Sequence, residues 1–88
     1  MDMNANPNAP AIPGWTQLRD DLDGFTVYLL GNPRTAIWKI EPCIYNGRRC
    51  WTLVRKHVHP RYQHHITGST TIASALDPRA LAGLVKEY

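Results

Sequence analysis

The sequence predicts an α+β fold: a three-stranded antiparallel β-meander packed on one C-terminal α-helix, with a disordered N-terminal tail. Three observations predict it. Asn46-Gly47 sits between two β-rich runs within residues 37–56 (IWKIEPCIYNGRRCWTLVRK), and Asn-Gly is the strongest short hairpin signal because a type I′ turn needs positive φ at both central residues. Residues 25–30 (FTVYLL) supply a further strand-like run. Asp77-Pro78 opens a stretch with Leu81, Leu84, Val85 and Tyr88 on one stripe, an N-cap and a first-turn proline ahead of an amphipathic helix.

A two-residue loop fixes the hairpin register. Tyr45 faces Arg48, Cys43 faces Cys50, Pro42 faces Trp51, Ile40 faces Leu53 and Trp38 faces Arg55. Because side chains alternate between faces, Trp38, Ile40, Ile44, Trp51 and Leu53 form the expected core face. Arg49 and Arg55 share its parity and are expected at its margins, with Arg55 stacked on Trp38. Proline cannot donate to a ladder, so Pro42 must lie beyond the first strand. Treating residues 31–34 (GNPR) as a four-residue turn sets Phe25 opposite Ile40. That places Phe25, Val27 and Leu29 inside and Tyr28, Leu30, Ile37, Tyr45 and Val54 on the outer face.

The rest of the chain is read around that frame. Residues 1–13 (MDMNANPNAPAIP) offer little to bury and read as a flexible tail; residues 14–88 form one small domain. Trp15 is expected as an anchor at the core edge. Residues 16–21 fit a short helical turn capped by Thr16, with Leu18 and Leu22 facing in, and fit a short strand nearly as well. Asp23-Gly24 signals a turn. Residues 57–69 (HVHPRYQHHITGS) follow neither period and read as a long basic loop, before a short extended piece at 70–73. Gly83 weakens the helix by about 1 kcal/mol against Ala and would permit close approach to the sheet.

The charge pattern says more than the net +3. Residues 42–76 contain no Asp or Glu and hold Arg48, Arg49, Arg55, Lys56 and Arg61 with all four His, whereas residues 1–33 hold Asp2, Asp20, Asp21 and Asp23 against Arg19 alone. Such asymmetry fits a polyanionic partner. No apolar run approaches a membrane span, and no basic-then-apolar leader opens the chain, so a cytoplasmic protein is expected. In that compartment Cys43 and Cys50 stay thiols, although opposite positions on a hairpin have a spacing that a disulfide can bridge.

Catalysis and metals find little support. His57, His59, His64 and His65 are metal-ligand residue types, but the Cys pair lies about 20 Å away by strand rise alone, and the spacing matches no zinc motif. They read as solvated loop histidines. No nucleophile elbow or phosphate-binding glycine loop occurs. No enzyme activity, cofactor or metal is expected.

Two function classes remain. The first is a small nucleic-acid-binding module in which Lys39, Arg48, Arg49, Arg55, Lys56 and Arg61 contact phosphates. The expected meander and helix resemble, in topology, the DNA-reading three-stranded sheets of phage integrase arm-binding domains and plant AP2 domains, which implies DNA as partner. The second is a protein-binding accessory or inhibitor, of the kind encoded by phages and mobile elements. It would use the mixed outer face of Tyr28, Leu30, Ile37, Tyr45 and Val54, which could equally cover an acidic protein surface or a second copy in a homodimer.

Overall fold

A computed structural model describes residues 9–19, 25–32, 34–62 and 65–87. It shows an antiparallel sheet with one C-terminal helix, but the sheet has five strands rather than three. The order is β1 (Trp15–Arg19), β2 (Thr26–Leu30), β3 (Trp38–Tyr45), β4 (Arg48–Val58) and β5 (Ile66–Ala75), followed by α1 (Pro78–Leu84) and a 3-10 turn (Val85–Glu87). Each strand pairs with its chain neighbour.

The central hairpin matches the expectation pair for pair, from Tyr45↔Arg48 to Trp38↔Arg55. Asn46 has φ 51° and Gly47 φ 75°, the conformation that a type I′ turn demands. Trp51, Ile40 and Leu53 are fully buried and Trp38 is 9% exposed. Ile44 has the right parity yet is 75% exposed, because it lies at the hairpin tip. Arg55 sits 5.6 Å over the Trp38 ring, as its marginal position predicts.

The β2–β3 register differs, and the difference inverts β2. Tyr28 pairs with Ile40 and Leu29 with Lys39, so the connection runs through residues 31–37 and is longer than a four-residue turn. Asn32 organises it: its carbonyl accepts from Thr35 N–H at 3.0 Å and its side chain from Arg34 N–H at 2.9 Å. Three residues is an odd shift, and an odd shift exchanges the faces of a strand. Tyr28 is therefore fully buried in the core and Leu30 packs against it. Leu29, buried at 6% exposure, belongs with Val27 to the open face. Pro42 still lies beyond the ladder, because the β2 partners end at Ile40.

Residues 15–19 form a strand, not a helical turn, and Trp15 pairs with Leu30. Gly14 and Gly31 both take positive φ and are joined by a 3.1 Å bond from Gly31 N–H to Gly14 carbonyl. Leu22, the Asp23-Gly24 turn and Pro33 lie outside the described residues. The expected long loop is also shorter: β4 runs to Val58 and β5 begins at Ile66, leaving residues 59–65 between them. Two register shifts punctuate this pair. Leu53↔Ala73 followed by Val54↔Thr71 leaves Ile72 as an extra residue, and His57↔Gly68 followed by Val58↔Ile66 leaves Thr67 as another, each a β-bulge.

One face of the sheet is covered by two segments. The Asp77 carboxylate caps α1 by accepting from Arg79 N–H at 2.9 Å, Pro78 fills the first turn, and Leu81 is buried at 1% exposure. The helix packs on β3, β4 and β5, over the Trp38/Trp51 face as expected. Leu84 and Val85 pack against the same core; Tyr88, the fourth member of the stripe, lies outside the described residues. Gly83 is exposed with open space beside it, so it does not serve close approach. The second cover is the segment before β1. Ile12 is buried at 7% exposure within the core cluster, the Tyr28 hydroxyl donates to Pro10 carbonyl at 2.7 Å, and the Gln17 amide donates to the carbonyls of Ala9 and Pro10 at 3.2 and 3.1 Å. Residues 9–13 are thus packed, where a flexible tail over 1–13 was expected; residues 1–8 lie outside the described residues.

Candidate nucleic-acid interface

β4 carries four of the six expected phosphate-contacting residues, and strand alternation divides them. Arg48 and Lys56 point to the open face of the sheet, with Lys39 on β3; Arg49 and Arg55 have the parity of the covered face. Along the strand, Arg48 and Lys56 stand about 26 Å apart at 3.3 Å per residue. Arg61 lies in the 59–65 connection. The sequence therefore groups six cations that the fold distributes over two faces and two ends.

On the open face, Lys39, Glu41, Val54, Lys56, Ile66, Thr67, Gly68 and Ser69 line a groove of about 420 Å³. Val54, 8% exposed, belongs to its floor. Lys39 Nζ pairs with Glu41 Oε2 at 3.0 Å, and the two half-exposed groups screen one another in water, so this pair adds little stability. Lys56 has no carboxylate partner among the described residues, and its backbone N–H is held by Ile37 carbonyl at 2.7 Å. The groove thus joins two ammonium groups to the hydroxyls of Thr67 and Ser69. The Thr67 hydroxyl is already engaged, donating to His57 carbonyl at 3.2 Å. That bulge bond, and the presence of Thr67 and Ser69 at the site, had no signal in a stretch that reads as loop.

At the hairpin tip a second open-face depression, about 560 Å³, is lined by Tyr45, Asn46, Arg48, Cys50, Ser74, Ala75 and Leu76. Cys50 is joined to Cys43 in a disulfide across the hairpin, with Cα atoms 5.2 Å apart. The expectation of free thiols rested on compartment; the hairpin register itself delivers the bridging geometry.

The described histidines, His57, His59 and His65, lie at the β4–β5 end of the sheet. His59 Nδ1 accepts from the N–H groups of Arg61 and Tyr62 at 3.1 and 3.3 Å, and the His59 ring lies 5.1 Å from Tyr62 and 6.2 Å from His65. His59 N–H donates to His65 carbonyl at 2.9 Å. His57 Nε2 is hydrogen-bonded to the Thr70 hydroxyl. His57 and His65 are exposed, as solvated loop histidines are expected to be, while the half-buried His59 ties its loop together; His64 lies outside the described residues. No cluster of three metal-ligating side chains occurs among the described residues.

Of the alternative partner-binding residues, Tyr28 is in the core and Leu30 and Ile37 pack against it, all three because of the shifted β2 register and the helix-covered face. Only Tyr45, 69% exposed, and Val54 lie on the open face. Burial raises the Tyr28 pKa above its ordinary value, against a lowering by the Gln17 hydrogen bond, so the hydroxyl stays a donor in the physiological range. No described helix is long and apolar enough to cross a membrane. Comparison with protein-family models, with curated proteins and with solved structures finds no match, and with five strands the chain departs from the three-stranded DNA-reading sheets that its expected topology resembles.

Proposed function

We propose that this chain is a non-catalytic nucleic-acid-binding module whose contact surface is the open face of its sheet. One observation carries the reading. Lys39, Lys56 and Arg48 share one face of the sheet, spread along its length, which no described segment covers and whose only carboxylate among the described residues is Glu41. Phosphate contacts of this kind supply affinity without sequence readout. Arg49, Arg55 and Arg61 contribute to the surrounding positive potential, with Arg55 held to Trp38 rather than offered to the face. A shift assay against DNA and RNA over a salt series tests this. Affinity should fall steeply with salt, and Lys56→Ala should lower the log–log slope by about one. Absence of binding at low salt would sink the reading.

A second reading is favoured by the apolar side chains of the same face. Leu18 on β1 is 41% exposed, and Ile66, which lines the groove with Val54, is 48% exposed; such apolar side chains suit a protein partner. Under that reading Lys56→Ala leaves binding nearly independent of salt, while Ile66→Ser weakens it. The disulfide supports maturation in an oxidising compartment. A cytoplasmic location, the expectation from sequence, then requires the pair to be reduced there, and thiol alkylation in lysate distinguishes the two.

A further inference from the structure

We infer that the depression at the hairpin tip is a seat for one unstacked nucleobase with its phosphate, which makes the ligand of this module single-stranded. The inference rests on the nucleic-acid reading of the open face and adds which form of nucleic acid that face takes. Three features of the depression point there.

The first is its shape and lining. It measures about 560 Å³ and is bounded by Tyr45 of β3, Arg48 and Cys50 of β4, and Ser74, Ala75 and Leu76 at the end of β5. Cys50, 5% exposed, belongs to its floor, whereas Tyr45 and Leu76 stand 69% and 68% exposed. Pockets of a few hundred Å³ with apolar walls and few polar groups are the usual size for a small planar ligand. The second feature is charge. Arg48 has no carboxylate partner among the described residues, and the sequence places no Asp or Glu anywhere in residues 42–76. A guanidinium beside an apolar slot suits a ligand with an aromatic body and an anionic group. The third is hydrogen-bonding capacity at the rim. The Asn46 amide offers both donor and acceptor. The Ser74 hydroxyl is paired with Thr52 Oγ1 at 3.0 Å, which leaves it capacity for further bonds.

A base inside a duplex is stacked on both sides and cannot enter such a slot. An unpaired base can stack on the Tyr45 ring while its phosphate meets Arg48, and stacking of this kind is tolerant of base identity. From the tip, the backbone then runs over the open face towards Lys39 and Lys56.

The test compares an oligothymidylate about eight nucleotides long with a duplex of equal length, at low salt, on the full oxidised chain. Single strand should bind at least tenfold more tightly. Tyr45→Ala should remove most of that preference without altering the salt slope, because no charge is lost, and Tyr45→Phe should retain it. Arg48→Ala should weaken single-strand binding and lower the slope by about one. Tyr45 is exposed, so neither variant should disturb folding, and an unchanged melting midpoint checks this. Equal affinity for duplex and single strand, or a Tyr45→Ala variant that keeps the preference, overturns the inference while leaving the open-face reading in place. Binding to neither ligand overturns both.

Discussion

The Tyr28 hydroxyl donates a 2.7 Å hydrogen bond to the Pro10 carbonyl. It is the bond by which a core residue of β2 fastens the segment ahead of β1, beside which Ile12 buries its side chain. Removing residues 1–12 should therefore cost about 3 kcal/mol, from lost aliphatic burial and the loss of the Tyr28 hydroxyl's bond to Pro10. Tyr28→Phe alone should cost about 1 kcal/mol. Denaturant melts of both variants check this, and a truncated chain as stable as the full one would show that the segment does not contribute to the core.

Trp51 is fully buried and lies edge-on to Tyr28, with ring centroids 5.2 Å apart. Trp51→Ala should destabilise by about 3–5 kcal/mol, a large share of the stability of a small domain. Its indole N–H is buried without a hydrogen-bond partner among the described residues, so Trp51→Phe sacrifices volume but no described bond. That variant should lose distinctly less than the alanine variant. Equal losses would mean that the indole N–H has a partner that the fold does not reveal.

Asp77 is held below its usual carboxylate range, first by the side-chain hydrogen bonds from Arg79 and then by Arg79 N–H. A carboxyl group whose folded pKa is depressed contributes stability above its unfolded pKa, about 3.9, and loses it as pH falls through the lower folded value. Asp77→Ala should lower the melting midpoint at neutral pH, and the gap from the parent chain should narrow as pH falls through the lowered folded pKa of Asp77. A gap that persists undiminished in acid would show that the carboxylate charge is not its source.

Reducing Cys43–Cys50 should lower stability by roughly 2 kcal/mol and leave the fold intact, because the bridge closes only a short loop. The sequence separation is 7, and the Asn46-Gly47 turn already holds the strands together. Paired melts with and without reductant measure the difference. Loss of the folded state on reduction would assign the hairpin to the bridge rather than to the turn.

What could be read from the sequence was set by local chemistry. Asn46-Gly47 admits one turn type, and period-two alternation then propagates a single register through Trp38, Ile40, Trp51 and Leu53. Asp77-Pro78 marks its helix as clearly, by a cap and a missing donor. The β2 register had no such marker. Asn32 builds its turn within a longer connection, and an odd slip there moved Tyr28 from the expected surface to the core. β5 was hidden for a different reason. Its first six residues are exposed and much of it is Ser, Thr and Gly, so it shows no apolar alternation, and only the ladder to β4 makes it a strand. For the candidate site, the cations were legible as a cluster in sequence but not as two faces. Thr67 and Ser69 could not be found at all while their strand read as loop.

Because strand order equals chain order, the molecule can come apart one strand at a time from either side. β4 has a paired strand on both flanks along with the buried Trp51 and Leu53, whereas β1 is tied at only one flank and through the short Ala9–Ile12 cover. Opening free energies should therefore be graded across the sheet rather than uniform. In native-state hydrogen exchange, amides of β1 should exchange through a low-energy partial opening that leaves β3 and β4 paired, and the β4 amides facing β3 should exchange only with global unfolding. A chain of this kind lets one edge fray and reclose many times while its central hairpin, with the binding groups it carries, stays in place.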